Sequence, residues 1–191
     1  QLIPLLSLPT RVGMLSGAYI FDRRDNPINA ARGMFNTLDA GVAPTFLGSQ
    51  VTFSRLFASN STYHPFRKNL VFARRIQFGW LAPFRVEPGL SSDQAIPLPE
   101  RFYAGGAASH RGFPENQAGP RDLVTGFPIG GNAVLIHNTE LRFPLLGNNI
   151  RGVLFHDMGN VYSSIRDISF RFHQRNDQDF NYMVHAVGFG I

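Results

Sequence analysis

The chain has 191 residues, no cysteine and a formal net charge of +5 at pH 7, with arginine supplying almost all of its cations. Without cysteine, neither a disulfide framework nor a thiolate metal site is available. The arginines stand singly or in pairs with no basic run, which argues against nucleic-acid binding. The sequence contains no stretch of 18 or more apolar residues, so it predicts no transmembrane helix. The first ten residues lack the basic leader of a signal peptide.

Apolar and polar residues alternate repeatedly along the chain, whereas Pro or Gly interrupts almost every window that is long enough for a helix. This pattern predicts an all-β fold. Most predicted strands exceed the usual five or six residues and approach the length that a tilted strand needs to cross a bilayer. The seven predicted strands cover 14–23, 33–43, 50–58, 69–82, 132–143, 150–161 and 181–191.

The alternation separates an apolar face from a polar or small-residue face. In a membrane barrel, the apolar face contacts lipid and the polar face lines the lumen. We therefore expect lipid contact for Phe72, Ile76, Phe78, Leu135, Leu141, Met183 and Phe189, and a lumen position for Arg75, Gln77, Asn138 and Glu140. Arg74 and His185 break the pattern, because they fall on the apolar side. A soluble β-sandwich would show the same alternation with its apolar face inward, so periodicity alone leaves both architectures open.

The lengths of the connections favour a barrel without proving it. Two connections, 83–131 and 162–180, are long, and the others are short. Outer-membrane barrels keep short turns on the periplasmic side and long loops outside. Both long connections leave the same side of the predicted sheet, but the short 44–49 link does so too. The odd number of strands, and a last strand that runs to Ile191, lead us to expect that the chain is part of a larger barrel.

The connection 83–131 contains aromatic residues that can pack and glycines that allow tight turns, so we do not expect it to be disordered. If it folds back into a confined interior, Arg111 needs a carboxylate partner. The predicted strands offer Glu140 and Asp157 for that role. The alternative is an exposed surface loop in which Arg111 is solvated.

Several motifs in this region occur in a recognisable order. "RFYAGG", "HRGF", "GGNA", "ELRFP" and "FHDMGNVY" together resemble the barrel of the BamA-type family of outer-membrane assembly factors, which has relatives among two-partner-secretion translocases. The earlier "DRRDNPINAARG" resembles a strand–turn motif of that family. The resemblance implies an antiparallel transmembrane β-barrel of about sixteen strands, an even number as bacterial barrels have. Residues 1–191 would form about seven of these strands within one barrel domain, with the periplasmic POTRA domains and the first and last strands outside this chain.

The resemblance also implies that 83–131 is the family's lumen-inserted loop, with an Arg at its tip that binds carboxylates of the barrel wall. The residues that match are the tip motif His110, Arg111, Gly112 and Phe113, the loop glycines Gly105 and Gly106, and the wall partners Glu140 and Asp157. His110 departs from the Val or Ile that is usual at its position.

For function, the resemblance implies a bacterial outer-membrane protein that folds and inserts β-barrel proteins. Its implied partners are outer-membrane lipids, unfolded β-barrel clients and periplasmic or lipoprotein accessory subunits, and not nucleic acid. Two alternatives remain open: a polypeptide translocase of the same family, and a barrel that anchors a fused enzyme such as a lipase. The domains that precede the barrel would discriminate among the three.

Catalytic patterns are not found in the sequence. The six histidines show neither an HExxH motif nor metal-ligand spacing, and there is no GxSxG elbow or phosphate-binding loop. His156 and Asp157 are adjacent, so a strand would send their side chains to opposite faces. We therefore predict no enzymatic activity, no cofactor and no metal site.

Overall fold

The structure is a computed structural model that describes residues 9–67, 69–86, 88–89, 91–146 and 150–191. Its seven strands form a single antiparallel sheet in which each strand pairs with the next along the chain, which confirms the all-β prediction. The strands are β1 (Leu15–Asp22), β2 (Gly33–Ala43), β3 (Phe53–Phe66), β4 (Leu70–Pro83), β5 (Ala133–Leu146), β6 (Ile150–Tyr162) and β7 (Val184–Gly190). Within the described ranges, no helix has the length and hydropathy needed to span a bilayer.

The largest difference from the predicted strands concerns β3, which runs to Phe66 instead of ending at residue 58. The polar run that follows residue 58 predicts a turn, yet Asn60 and Ser61 pair with Ile76 and Arg75 of β4. Small polar residues are tolerated in this part of β3 because strand propensity depends on context and cross-strand pairs with β4 stabilise the sheet. Propensity is overridden by the long, regular partner strand.

The register identifies which residues share a face. Arg75, Asn138 and Asp157 are direct neighbours across β4, β5 and β6. Because side chains alternate along a strand, Gln77 and Glu140 lie on the same face as this row. We call it the inner face, since it is contacted by loop 84–132, the connection between β4 and β5. The opposite, outer face exposes the side chains of Phe72, Leu141, Phe189, Trp80 and Leu154, among others.

Met183 does not lie on the outer face, so the prediction that it contacts lipid is wrong. It is only 4% exposed and precedes the first residue of β7. Its backbone N–H donates to the carbonyl of Arg171 at 2.7 Å, which holds it in loop 163–183, the connection between β6 and β7. The strand begins later than the alternation indicates because this loop takes over the hydrogen bonds of the residues before it.

The outer face also carries a row of polar side chains among its apolar residues. Arg74 Nη2 donates to Asn60 Oδ1 at 3.1 Å, and Asn60 Nδ2 donates to Asn36 Oδ1 at 2.5 Å. Further along the sheet, His156 Nε2 lies 3.0 Å from His185 Nδ1. Hydrogen bonding between neighbours reduces the cost of placing such groups on a face that is otherwise apolar.

The hydrophobic core lies between the inner face and loop 84–132. The sheet contributes Phe53, Leu81, Val134, Ile136 and Val161, and the loop contributes Ile96, Phe102, Ala104 and Ala118. Removal of these apolar surfaces from water stabilises the loop on the sheet. The loop is therefore packed as part of the fold, and its tip is held at a defined place on the inner face.

Candidate functional site

Backbone hydrogen bonds close loop 84–132 in three successive layers. At its base, Phe102 and Gly131 exchange hydrogen bonds of 2.9 and 3.0 Å. Ala118 N–H then donates to the carbonyl of Ala104 at 2.9 Å, and Gly106 N–H donates to that of Phe113 at 2.9 Å. These contacts define a compact tip, residues 105–113, which contains the whole predicted motif.

The glycines at the tip serve two different physical requirements. Gly105 and Gly106 have φ values of 125° and 77°, in a region that side chains with a Cβ rarely adopt. A Cβ on Gly105 would also lie 2.1 Å from the carbonyl oxygen of Pro114. Gly112 is needed for close approach instead, because a Cβ there would lie 2.8 Å from Cβ of Ala186 on β7.

The guanidinium group of Arg111 binds both carboxylates that were predicted as its partners. Its Nε and Nη2 donate to Oδ2 and Oδ1 of Asp157, each at 2.7 Å, and its Nη1 donates to Oε1 of Glu140 at 2.8 Å. The backbone N–H of Arg111 adds a further bond to Asp157 Oδ2 at 2.9 Å. The guanidinium carbon lies 3.6 Å from the ring centre of Phe155, a cation–π distance.

Both carboxylates are fully compensated although they lie in or near the packed interior. Asp157 is 0% exposed and also accepts a 2.8 Å bond from Nδ2 of Asn138. The second oxygen of Glu140 accepts bonds of 2.9 and 2.8 Å from Arg142. Fixed hydrogen bonds therefore replace the hydration that these two carboxylates lose.

Asn138 and Arg75 bind the backbone of the tip from the sheet side. Asn138 Nδ2 donates to the carbonyl of Ser109 at 2.6 Å, and its Oδ1 accepts from Arg75 Nε at 3.2 Å. Arg75 Nη2 donates to the carbonyl of Ala108. The sequence predicts a lumen position for both residues but not these contacts with the loop.

His110 is completely buried, and its ring is satisfied by the backbone. Gly112 N–H donates to Nδ1 at 3.2 Å, so Nε2 carries the proton and donates to the carbonyl of Val184 on β7 at 3.1 Å. Burial lowers the pKa of His110, which keeps the ring neutral. Phe113 packs against this ring edge-on, with 5.0 Å between centres, and also contacts the core. His110 thus docks the tip on β7 in place of the usual aliphatic residue.

Two further features are not predicted from the sequence. Phe155, under the guanidinium of Arg111, could have been found from alternation, because it lies two residues from Asp157. The second, in loop 163–183, is an Arg171–Asp179 pair with bonds of 2.8 and 3.3 Å, for which no pattern in the sequence is a signal. Among the described residues, no group of three or more His, Asp or Glu side chains is arranged to hold a metal ion.

Comparisons with known proteins identify the family and the fold of the chain. A family model of the Omp85 superfamily domain matches residues 13–191. The outer membrane protein assembly factor BamA of Nitratidesulfovibrio vulgaris is 31% identical over 127 residues, which cover 65% of this chain and 15% of BamA. The sorting and assembly machinery component 50 homolog of Mus musculus is 29% identical over 131 residues, which cover 69% of this chain and 26% of that protein. Both relatives are named for assembly and not for catalysis.

The fold itself matches a solved barrel. The crystal structure of BamA from Haemophilus ducreyi lacking POTRA domains 1–3 superposes with a TM-score of 0.72 at 18% identity, over 98% of this chain and 39% of that chain. This chain therefore spans about a quarter or less of the curated relatives and well under half of the solved one. With a family model that matches nearly all of its residues and the strand arrangement of the BamA barrel, this bacterial outer-membrane protein belongs to the Omp85 superfamily.

Proposed function

We propose that this chain belongs to an assembly factor that folds β-barrel proteins and inserts them into the outer membrane. The observation that carries the proposal is the double anchoring of Arg111, at the tip of loop 84–132, to Asp157 and Glu140. The names of the two curated relatives, an assembly factor and an assembly-machinery component, support it further. The proposed activity is not enzymatic: it depends on how the barrel strands are arranged, and no side chain reacts chemically with the client.

The anchored loop acts as a brace inside the barrel. Its tip bonds to β5 through Glu140, to β6 through Asp157 and to β7 through the carbonyl of Val184. One rigid element that binds three neighbouring strands resists changes in their spacing and tilt. A barrel that must open elsewhere to receive client strands needs such a fixed wall, since opening then stays confined to one place.

In this proposal, the seven strands are a segment of a closed barrel of about sixteen strands, which removes the unpaired edges that lipid would not tolerate. The barrel follows periplasmic POTRA domains in the complete protein. The outer face contacts outer-membrane lipids, unfolded β-barrel clients are the substrates, and periplasmic or lipoprotein subunits assist.

Reconstitution of the full-length protein tests the proposal. Liposomes that contain it receive a urea-unfolded β-barrel client, and the fraction of client that becomes protease-protected is measured. We expect the wild-type protein to accelerate client insertion over empty liposomes, and Arg111→Ala to lose most of that acceleration. Arg171→Ala is the matched control, because it removes an arginine from the other long loop, and it should insert the client normally.

Two results would contradict the proposal. Equal insertion rates with and without the wild-type protein would remove the assembly activity. Transfer of a soluble polypeptide across the liposome membrane, with no insertion of the barrel client, would instead identify a secretion translocase.

A further inference from the structure

A polar cavity of about 350 Å³ lies on the inner face beside the loop tip. Five arginines line it, against one carboxylate residue, Glu140. Four of them, Arg24, Arg75, Arg111 and Arg142, have access to the inner face, whereas Arg74 donates to Asn60 on the outer face. Because the wall of the cavity combines many cations with few acids, its potential favours negatively charged groups.

Arg75 is the one of these four inner-face arginines whose charge is not matched by a carboxylate. The salt bridges of the other three join Arg24 to Asp22, Arg111 to Asp157 and Glu140, and Arg142 to Glu140. Arg75 has only neutral acceptors, Asn138 Oδ1 and the carbonyl of Ala108, and no carboxylate of the described residues lies within salt-bridge distance. These two bonds use its Nε and Nη2, which leaves the Nη1 group for a ligand.

We propose that this cavity is a binding site for one oxyanion, a carboxylate or phosphate group, with Arg75 as its principal ligand. A guanidinium binds oxyanions through charged hydrogen bonds, which are stronger in a partly dry cavity than in water. Ser61 and Tyr63 also line the cavity and offer hydroxyl donors for the remaining oxygens. The anion could come from a free phosphate or from an acidic side chain of a polypeptide inside the barrel.

Phosphate binding can be measured without any assay of barrel assembly. The full-length protein is purified in dodecyl maltoside, which contains no phosphorus, and inorganic phosphate is titrated while its ³¹P line width is recorded. We expect saturable broadening with the wild type. Arg75→Gln should weaken binding by at least about tenfold, which is the loss expected for one charged hydrogen bond. Arg171→Gln removes the same charge from loop 163–183, which does not line the cavity, and should leave binding unchanged.

Two blocked peptides then identify the source of the anion. If Ac-Gly-Glu-Gly-NH₂ displaces phosphate and Ac-Gly-Gln-Gly-NH₂ does not, the site accepts acidic side chains of polypeptides. If neither peptide displaces it, the ligand is free phosphate. Displacement by both peptides alike would overturn the proposal, because charge would then not be recognised.

Loop integrity is measured in the same samples by limited proteolysis. If Arg75→Gln loosens the loop, Arg75→Lys decides the outcome, since it keeps the charge but loses the guanidinium fork. A loss of at least about threefold in phosphate affinity with an intact loop supports the proposal. No broadening in the wild type, wild-type affinity in Arg75→Lys, or equal losses in Arg171→Gln and Arg75→Gln would overturn it.

Discussion

The two long loops contain the same chemical pair, an arginine bound through its fork to an aspartate, but they use it differently. Arg111 reaches from loop 84–132 to Asp157, 46 residues away on β6, and that carboxylate is 0% exposed. Arg171 binds Asp179 within loop 163–183, eight residues away, and the two side chains are 30% and 12% exposed. The first pair joins a loop to the sheet, whereas the second shapes only the loop that contains it.

The largest expected effect is that of Arg111→Ala. It leaves the charge of Asp157 buried with two of its four donors and its cationic partner removed, so docking of the tip should weaken by about 3–5 kcal/mol. Hydrogen exchange of residues 101–120 in the full-length protein measures the change. Arg111→Lys should recover part of the protection, because it restores the charge but not the fork.

A double-mutant cycle provides the control for this prediction. Because Arg111 and Asp157 interact directly, the double variant Arg111→Ala with Asp157→Ala should cost less than the sum of the single changes. Strict additivity would mean that the pair contributes nothing to docking, and the contrast between the loops would then fail.

A smaller loss is expected from Gly105→Ala, which strains the tip without removing a charge. The φ of 125° and the contact with the carbonyl of Pro114 should together cost about 1–3 kcal/mol of docking. Gly126→Ala is the matched control, because that glycine also has a positive φ, 72°, but has open space around it. Protease resistance of the loop should decrease more in Gly105→Ala, and equal decreases would contradict the contact described here.

His110 should make docking of the first loop depend on pH. Its pKa in the docked loop is lowered by burial, although the nearby Asp157 favours its protonated form. The undocked loop therefore takes up a proton before the docked loop does, and docking weakens as the pH falls below about 6.5. Proteolysis of the loop measured from pH 7.5 to 5 should show this decrease. His110→Val should abolish the slope, and an unchanged slope in that variant would assign the effect to another group.

The smallest effect is expected from Arg171→Ala. The pair with Asp179 is partly exposed, so solvent screens the interaction and its contribution to stability is small. Hydrogen exchange should increase only in loop 163–183, with residues 101–120 protected as in the wild type. Loss of protection in both loops would show that the second loop also supports the first.

Acid tests the same pair without a substitution. The guanidinium of Arg171 lowers the pKa of Asp179 from 3.8 to about 2. The contribution of the pair is therefore fully present above about pH 4 and is lost as the pH falls toward 2. The exchange rates of wild type and Arg171→Ala in this loop should converge over that range.

Alternation and residue type were enough to predict the seven strands and the inner positions of Arg75, Asn138 and Glu140. They offered Glu140 and Asp157 as candidate partners of Arg111 but left a solvated Arg111 open, and only the family resemblance implied the pairing. The strands and the inner positions follow from local chemistry, because side chains alternate every residue. The same local rule failed at residues 59–66, where polar residues predict a turn and the pairing with β4 makes a strand.

Only the tertiary structure decided how the loop returns to the sheet. The division of the Arg111 fork between Asp157 and Glu140, the contact of His110 with Val184 and the burial of Met183 all depend on segments between 12 and 74 residues apart. Such contacts are set by strand register and by the path of a long loop, and neither leaves a periodic signal in the sequence. The sequence could not predict the unmatched charge of Arg75 for the same reason, because the neighbours of this side chain come from β5 and from the loop tip.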